Sequence, residues 1–546
     1  MKRPLVLSKS LTSLFVRSLA LVAACSALPA RADVKLPVIF GDHMVLQRDQ
    51  KVPVWGWADE GEKVTVEFAG QKAEATAAKG GKWSTALPAL KANSAGATFT
   101  VKGKNTVELK DVLVGEVWFC SGQSNMEMTV GGSKDAKEEV AAANNPRIRH
   151  FKVPHVTDIT PQTEVKTQGG WQETTPATVA PFTAVGYFFA REIEKEMDVP
   201  VGLIGCNWGG TRIDPWIPPA GWKAVPALKE NFADKLDTFP ARAPVMESYT
   251  QPVLDTDGKP TFDANGKPNV VTVTETNGRP KLRPKLDADG KPVMTASNSS
   301  PMGIYNAMVA PIIPYAIRGS LWYQGESNNG EGMLYFEKMK ALVGGWRTLW
   351  QEGDFPFYFV QLAPYHYNKP EALPGIWEAQ AASLSIPNTG MAVITDVATV
   401  GNIHPPDKQT VGHRLALWAL AKTYQKPVAS YASPLFDTLK VQGNQARLTF
   451  KNAEGGLKSR DGKPLTWFTV AGEDKKFVEA KAEISGNGVV VSAPGVEKPV
   501  AVRFGWNELA EPNLANAAGL PVSPFRTDTW TDATMPVVAF PEPPKK

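Results

Sequence analysis

Between residues 111 and 425, short apolar runs alternate with longer amphipathic segments, and that alternation leaves few folds open. The apolar runs are 115–120, 201–206, 319–323, 356–361 and 391–395, and the helical patterns are 183–197, 333–350 and 408–423. Strands this apolar, separated by helices, predict a mostly parallel sheet covered on both faces. The pattern changes on either side. Residues 52–57, 63–68, 72–76 and 98–101 read as short strands with Gly-containing breaks, predicting a small β-sandwich over 33–110. Residues 448–450, 489–491 and 500–504 return to β patterning. The expected organisation is therefore an N-terminal β-domain at 33–110, an α/β domain at 111–428 and a C-terminal β-domain at 429–546.

One segment interrupts the α/β region. Between about 235 and 300 a turn recurs as Asp257-Gly-Lys-Pro260, Asn265-Gly-Lys-Pro268, Asn277-Gly-Arg-Pro280 and Asp289-Gly-Lys-Pro292. Asp-Gly and Asn-Gly are strong hairpin signals, and the following Pro limits pairing to edge positions. The insertion reads as a set of surface hairpins, with a lid or substrate-selecting arm as the functional alternative.

Residues 1–32 have a basic start (Lys2, Arg3, Lys9), an apolar stretch at 19–24 and Ala30-Arg31-Ala32 before Asp33. This predicts an export signal cleaved after Ala32. The competing reading is a lipoprotein signal, with Cys25 as the acylated residue. No later apolar run is long enough to span a bilayer. The formal charge of +4 is misleading, because five basic residues and no acids lie in 1–32, so the remainder nets −1. Nothing here favours nucleic acid. Beyond the signal only Cys120 and Cys206 remain, which is no disulfide framework; two buried thiols are expected, with a bridge between them as the alternative. The histidines at 43, 150, 155, 366, 404 and 413 are scattered, so neither a metal nor an organic cofactor is expected.

Chemistry concentrates where strands end. In Gly115-Glu-Val-Trp-Phe-Cys-Ser-Gly-Gln-Ser-Asn-Met-Glu127 an apolar strand runs into a tight turn with Ser124 at its tip, followed by a helix-compatible segment. Gly122 permits the bend, and amides near a helix start face a developing oxyanion. A Ser in such a turn is also a common N-cap, so three further blocks matter. Residues 201–212 end a strand in Asn207-Trp208-Gly209-Gly210-Thr211, where paired glycines let backbone N–H groups approach a ligand. Residues 319–328 end a strand in Gln324, Glu326 and Asn328, as amide donors, an orienting carboxylate or a structural polar network. Residues 395–408 carry His404 in a loop after a strand, stiffened by Pro405-Pro406, where α/β sheets place their sites. His413 falls inside a helix, His43, His150 and His155 lie in or near irregular or β regions, and only His366 is similarly placed.

Gly122-Gln-Ser-Asn-Met126, Asn207-Trp-Gly-Gly-Thr211, Trp322-Tyr-Gln-Gly-Glu-Ser327 and Asn402-Ile-His-Pro405, in that order and spacing, resemble the bacterial sialate O-acetylesterase family of the SGNH hydrolase superfamily. The resemblance covers most of residues 33–535, including Phe40-Gly-Asp-His-Met-Val-Leu-Gln47. It implies a flavodoxin-like α/β/α SGNH hydrolase domain with a mostly parallel sheet, flanked by N- and C-terminal β-sandwich-like domains and acting on O-acetylated carbohydrate. It further implies Ser124 as nucleophile, His404 as general base, and the amides of Ser124 and Gly210 (or Gly209) as oxyanion donors. Gln324 is the first choice for a side-chain donor there.

The third triad member departs from the family pattern. The superfamily commonly has Asp three residues before the His, where this chain has Gly401; closer members often have it two before, where this chain has Asn402. The ring of His404 is thus expected to be held by Asn402, by a backbone carbonyl near Gly401, or by Asp396 from the strand end. A neutral holder fixes the imidazole but stabilises the imidazolium less than a carboxylate does. Gln123, Trp208, Arg212, Glu326 and Asn328 are candidate substrate contacts, and Trp216 and Trp322 also lie beside the site blocks. Arg212 either meets an anionic group such as a sialic acid carboxylate or pairs with Asp214 or another acid. Acetylated sialic acid and acetylated plant polysaccharides such as xylan or xyloglucan both remain open as substrates. The reading from another class is a carbohydrate-binding protein without catalysis, on which a missing acid at 402 marks a decayed site.

Overall fold

A computed structural model describes residues 33–536, apart from 168, 237–242, 277 and 399. The expected leader at 1–32, with Cys25, lies outside the described residues, as does Asn277 of the third repeated turn.

The framework is one long strand, Thr106–Gly122. Its first half pairs antiparallel with Asn93–Lys102 in the N-terminal β-region. Its second half is the centre of the parallel sheet, between Val201–Asn207 and Gly319–Tyr323. The boundary expected near 110 therefore falls inside a continuous strand, not in a linker. Outward from the centre the sheet adds Asn145–Lys152 on one side, and Phe357–Val360 and Thr389–Ala392 on the other. All these pairings are parallel; the short Gln172–Thr174 strand is antiparallel at one edge.

Successive residues of a strand point to opposite faces, and two aromatic neighbours show what covers each. Trp118 packs edge-on against Phe189 of helix Ala184–Met197, with ring centroids 4.8 Å apart. Phe119 meets Trp346 and Trp350 of helix Leu334–Trp350 on the other face, at 5.3 and 5.4 Å. Helix Lys408–Trp418 lies beside Ala184–Met197. Gly412 makes that close approach feasible: a Cβ there would stand 2.8 Å from the Phe188 side chain and the Phe189 amide. Helix Ala372–Ala382 has no counterpart among the helical patterns of the sequence analysis. Its Leu-Pro-Gly start and small residues carry little amphipathic signal.

The C-terminal region packs two four-stranded antiparallel sheets on each other. Leu448, Val489 and Val491 from one meet Phe468, Val502 and Phe504 from the other in a core of their own. The N-terminal β-region instead shares one apolar core with the central sheet. The repeated turns at 257–260, 265–268 and 289–292, and Gly278–Pro280 in the remaining one, are hairpin turns. Their glycines sit at φ of 75 to 78°, and bridges such as Leu254 to Pro260 and Leu286 to Pro292 close them. Nested antiparallel pairs, Ala243–Pro244 with Met294–Thr295 and Met246–Ser248 with Leu282–Pro284, form the stem of this exposed arm. Cys120 and Cys206 are buried free thiols, and burial raises the pKa of both.

One buried charge binds the N-terminal region to the sheet. Glu116, fully buried, accepts from Arg48 at 2.5 Å and from Arg318 at 2.6 Å. Removing one member of such a group strands the others. Because both arginines keep about a fifth of their exposure, Glu116→Ala is expected to cost roughly 3 kcal/mol. Chemical unfolding checks this, and a change within 0.5 kcal/mol, about the limit for a neutral surface site, would show that the cluster does not brace the fold.

Candidate active site

The parallel register decides where the site forms. Gly122 stands opposite Asn207 on one neighbouring strand and Tyr323 on the other. Three of the four sequence blocks therefore leave the sheet side by side at the carboxyl ends of its strands. Gly122 is required by this crowding: its φ is +136°, and a Cβ would sit 2.2 Å from the Tyr323 carbonyl oxygen. The Gln123 amide donates to that same oxygen, and the Trp208 amide donates to the Gly122 carbonyl.

Ser124 opens the one-turn helix Ser124–Glu127. Its Oγ lies 2.8 Å from His404 Nε2, bridging 280 residues of chain. Both side chains are half-buried. Asp407 closes the loop behind His404 by capping helix Lys408–Trp418, accepting from the Thr410 amide at 2.9 Å. A hydroxyl bonded to an imidazole nitrogen is the pairing that a base-activated nucleophile needs. The Ser124 amide, in the first turn of that helix, meets no acceptor among the described residues. The Gly210 amide, in a glycine at φ +72°, likewise meets no backbone or side-chain acceptor among the described residues.

The remaining expected residues divide. The Gly209 amide donates to Glu127 Oε2 at 2.7 Å and is not available to substrate. Gln324 is fully buried; its Nε2 donates to the Thr211 carbonyl and to Asn328 Oδ1, so it is no oxyanion donor in this arrangement. Asn328 is equally committed, to Ile213, Asp214 and Glu331. Asp396 does not orient His404, because both its oxygens are taken by Arg414 at 2.6 and 2.7 Å. Asn402 accepts from the backbone amide of His404 at 3.0 Å, shaping the loop rather than holding the ring. His404 Nδ1 has no hydrogen-bond partner among the described residues. Gln123 Oε1 accepts from the Gly325 and Ser327 amides. Arg212 pairs with Asp214 and Glu331, which share Lys338. Trp216 and Trp322 are fully buried and pack on each other, so they are core residues rather than sugar platforms.

Trp208 does lie at the site, half-buried, with its ring stacked on His155 at 4.5 Å and 4°. His155 and its partner Glu127, 2.7 Å apart, were missed in the sequence. Glu127 falls inside the Ser124 block, whereas His155 sits in an irregular stretch with no periodic signal. Burial works to raise the Glu127 carboxyl, but His155, the Gly209 amide and Lys152 together hold it below its ordinary value. Asn125 and Lys408 were also missed. Glu326 is buried, with Oε1 accepting from Asn125 Nδ2 at 2.5 Å, and burial raises its pKa. Away from this centre, His43, Asp111 and Glu173 come close enough to one another to hold a cation. Arg149 already bridges the two carboxylates at 2.8 and 3.0 Å and supplies the positive charge itself.

A parallel sheet covered by helices, with polar side chains gathered at its carboxyl edge, is the architecture of α/β enzymes. Comparison with known proteins narrows it. The profile of the family described as SASA, carbohydrate esterase, sialic acid-specific acetylesterase, matches residues 114–236 and 296–420. The structure resembles that of a carbohydrate acetylesterase from Xanthomonas citri, with a TM-score of 0.76 and 34% identity, covering 91% of this chain and 100% of that one. Sialate O-acetylesterase from Mus musculus is 28% identical over 513 residues, 85% of this chain and 88% of the mouse protein. The Homo sapiens enzyme is 28% identical over 448 residues, 74% of each chain. The chain belongs to the sialic acid-specific acetylesterase family and is a carboxylic ester hydrolase. The stretch that the family profile skips, 237–295, contains the hairpin arm.

Burial and then the nearby Lys408 charge both disfavour the imidazolium of His404, lowering its pKa from 6.5. The ring is therefore expected to stay neutral to lower pH than a free histidine. Its ring-proton shifts followed by NMR against pH should show a midpoint below 6.5; a midpoint above it would contradict this electrostatic environment.

Proposed function

We propose that this protein removes O-acetyl groups from carbohydrate by a two-step acyl transfer, with Ser124 as nucleophile and His404 as general base. The observation that carries the reading is the 2.8 Å contact between Ser124 Oγ and His404 Nε2. His404 takes the hydroxyl proton as Oγ attacks the acetyl carbonyl, and the Ser124 and Gly210 amides receive the oxyanion. The protonated ring then gives its proton to the departing sugar hydroxyl. Water enters, His404 deprotonates it, and acetate leaves with Ser124 regenerated. With Asp396 and Asn402 engaged elsewhere, the pair works as a Ser-His dyad. Trp208 remains a substrate-side contact, whereas Gln123 is buried and holds the third block through the Gly325 and Ser327 amides.

Arg212 bears on the choice of sugar. It is already paired with Asp214 and Glu331, so it is poorly placed to add a salt bridge to a sialic acid carboxylate. That favours an O-acetylated neutral glycan as the substrate. The basic start, apolar stretch and Ala-Arg-Ala of residues 1–32 support export, to the periplasm or beyond the cell. Among the described residues no helix is long and apolar enough to cross a membrane.

Acetate release from 4-nitrophenyl acetate, acetylated xylo-oligosaccharide and O-acetylated sialic acid tests the reading. Ser124→Ala is expected to lower kcat by roughly 10,000-fold or more without loss of fold, while Asn402→Ala retains part of the turnover. Wild-type turnover that survives in Ser124→Ala would exclude the serine mechanism. A higher kcat/KM on the sialic acid than on the neutral sugar would exclude the substrate preference.

A further inference from the structure

We propose that Lys408 is a positioning residue for His404: acting through the Asn125 amide, it locks the loop that carries the base onto the turn that carries the nucleophile. The proposal rests on the Ser124–His404 reading above.

Asn125 follows Ser124 directly and is buried. Its side chain reaches the third block and both ends of the loop that carries His404. Nδ2 donates to the Ile403 carbonyl at 3.0 Å and to Glu326 Oε1 at 2.5 Å. Oδ1 accepts from Lys408 Nζ at 2.6 Å. Ile403 immediately precedes His404, and Lys408 is the first residue of the helix beyond it. A single amide thus ties the nucleophile turn to both ends of the base loop.

An amide side chain has two orientations of nearly identical shape, and its neighbours decide between them. The ammonium of Lys408 has only donors, so it must face Oδ1. Turned over, the Asn125 amide would set N–H against ammonium, and oxygen against both the Ile403 carbonyl and Glu326. Lys408 therefore selects the orientation in which Ile403 is held. Packing alone would not call for a lysine here. The side chain is fully buried, lies 5.0 Å above the Tyr323 ring and makes its direct hydrogen bond to a neutral amide. A buried cation with so little pairing is costly, and Met or Leu would fill the same space.

Its charge also reaches the base. Burial lowers Lys408 to about 7, against which Glu326 and Asp407 favour the charged form. In the range where His404 gains its proton, Lys408 is charged and opposes that gain. The groups around Lys408 are Glu326 and Tyr323 from the third block and Asp407 and His404 from the loop itself. Tyr367, raised by burial and then by Glu326, lies beyond Glu326 in the loop after Phe357–Val360.

The test compares Lys408→Met, which removes charge and donor, with Lys408→Gln, which removes charge but keeps an N–H for Asn125. Wild type and Ser124→Ala are run alongside on 4-nitrophenyl acetate across the titration range of histidine, with fold checked by circular dichroism. Lys408→Met is expected to lose about 10- to 100-fold in kcat with KM nearly unchanged, and Lys408→Gln to recover part of that loss. Both should move the acid limb of kcat/KM to higher pH, since a cation beside the imidazole is gone. If Lys408→Met does not fold, the upward shift in Lys408→Gln carries the test. Wild-type kcat with an unmoved limb in a folded variant would overturn the proposal, as would equal losses in both variants with the limb unmoved. Turnover by Ser124→Ala would instead defeat the dyad on which the proposal stands.

Discussion

The parallel register of three strands is what the rest of the molecule depends on. Because Gly122 is level with both Asn207 and Tyr323, the chain must turn out of the sheet at one line, in three places at once. The crowding is severe: the Tyr323 carbonyl lies where a side chain on residue 122 would go, and it accepts the Gln123 amide instead. A shift of one residue in either ladder would turn alternate side chains to the opposite face of the sheet. The bulk of Trp118 and Phe119, buried against different helices, resists that slip.

From that line outward the site is held by polar groups that satisfy one another. Glu127 takes the Gly209 amide and His155, which sets Trp208 against the His155 ring. Gln324 and Asn328 bond to each other and to Thr211 and Ile213. Asn125 gathers Glu326, Ile403 and Lys408. Buried amides and carboxylates of this kind are costly when unpaired, so each network tolerates few alternative arrangements. Among the described residues, the groups left free include the backbone amides of Ser124 and Gly210 beside the Ser124–His404 pair. Glu326 Oε2 and the Tyr323 and Tyr367 hydroxyls are buried without a hydrogen-bond partner among those residues.

The terminal β-regions relate to this centre in different ways. The N-terminal region shares the long strand and the apolar core, and Glu116 anchors its arginine to the sheet. The C-terminal region has its own core but reaches toward the loop that carries His404. Glu508 in it accepts from the Tyr367 and Lys369 amides, and the neighbouring His366 amide donates to the Val400 carbonyl in the His404 loop. The hairpin arm is built from local turns whose strands are largely exposed, which is consistent with its lying outside the family-matched stretches.

Much of this was readable without coordinates, because local signals carried it. The parallel sheet followed from apolar runs between amphipathic ones, and the strands at 201–206 and 319–323 agree with the structure to within a residue. The repeated Asx-Gly turns announced the arm. The four blocks, in order, pointed to the esterase family and to Ser124 and His404 as a pair. The sequence could not apportion the polar residues among partners. Gln324, Asp396 and Arg212 each had the right chemistry beside the right strand end, yet Asn328 with Thr211, Arg414, and Asp214 with Glu331 engage them. Asn125 and Lys408 lay inside the quoted blocks without any signal of what they would bond to, and His155 carried no pattern at all. Sequence by itself determined which residue types stand at the ends of which strands, because that depends on local periodicity. Only the tertiary structure decided which donor meets which acceptor, because a hydrogen bond depends on ångström-scale approach between segments hundreds of residues apart.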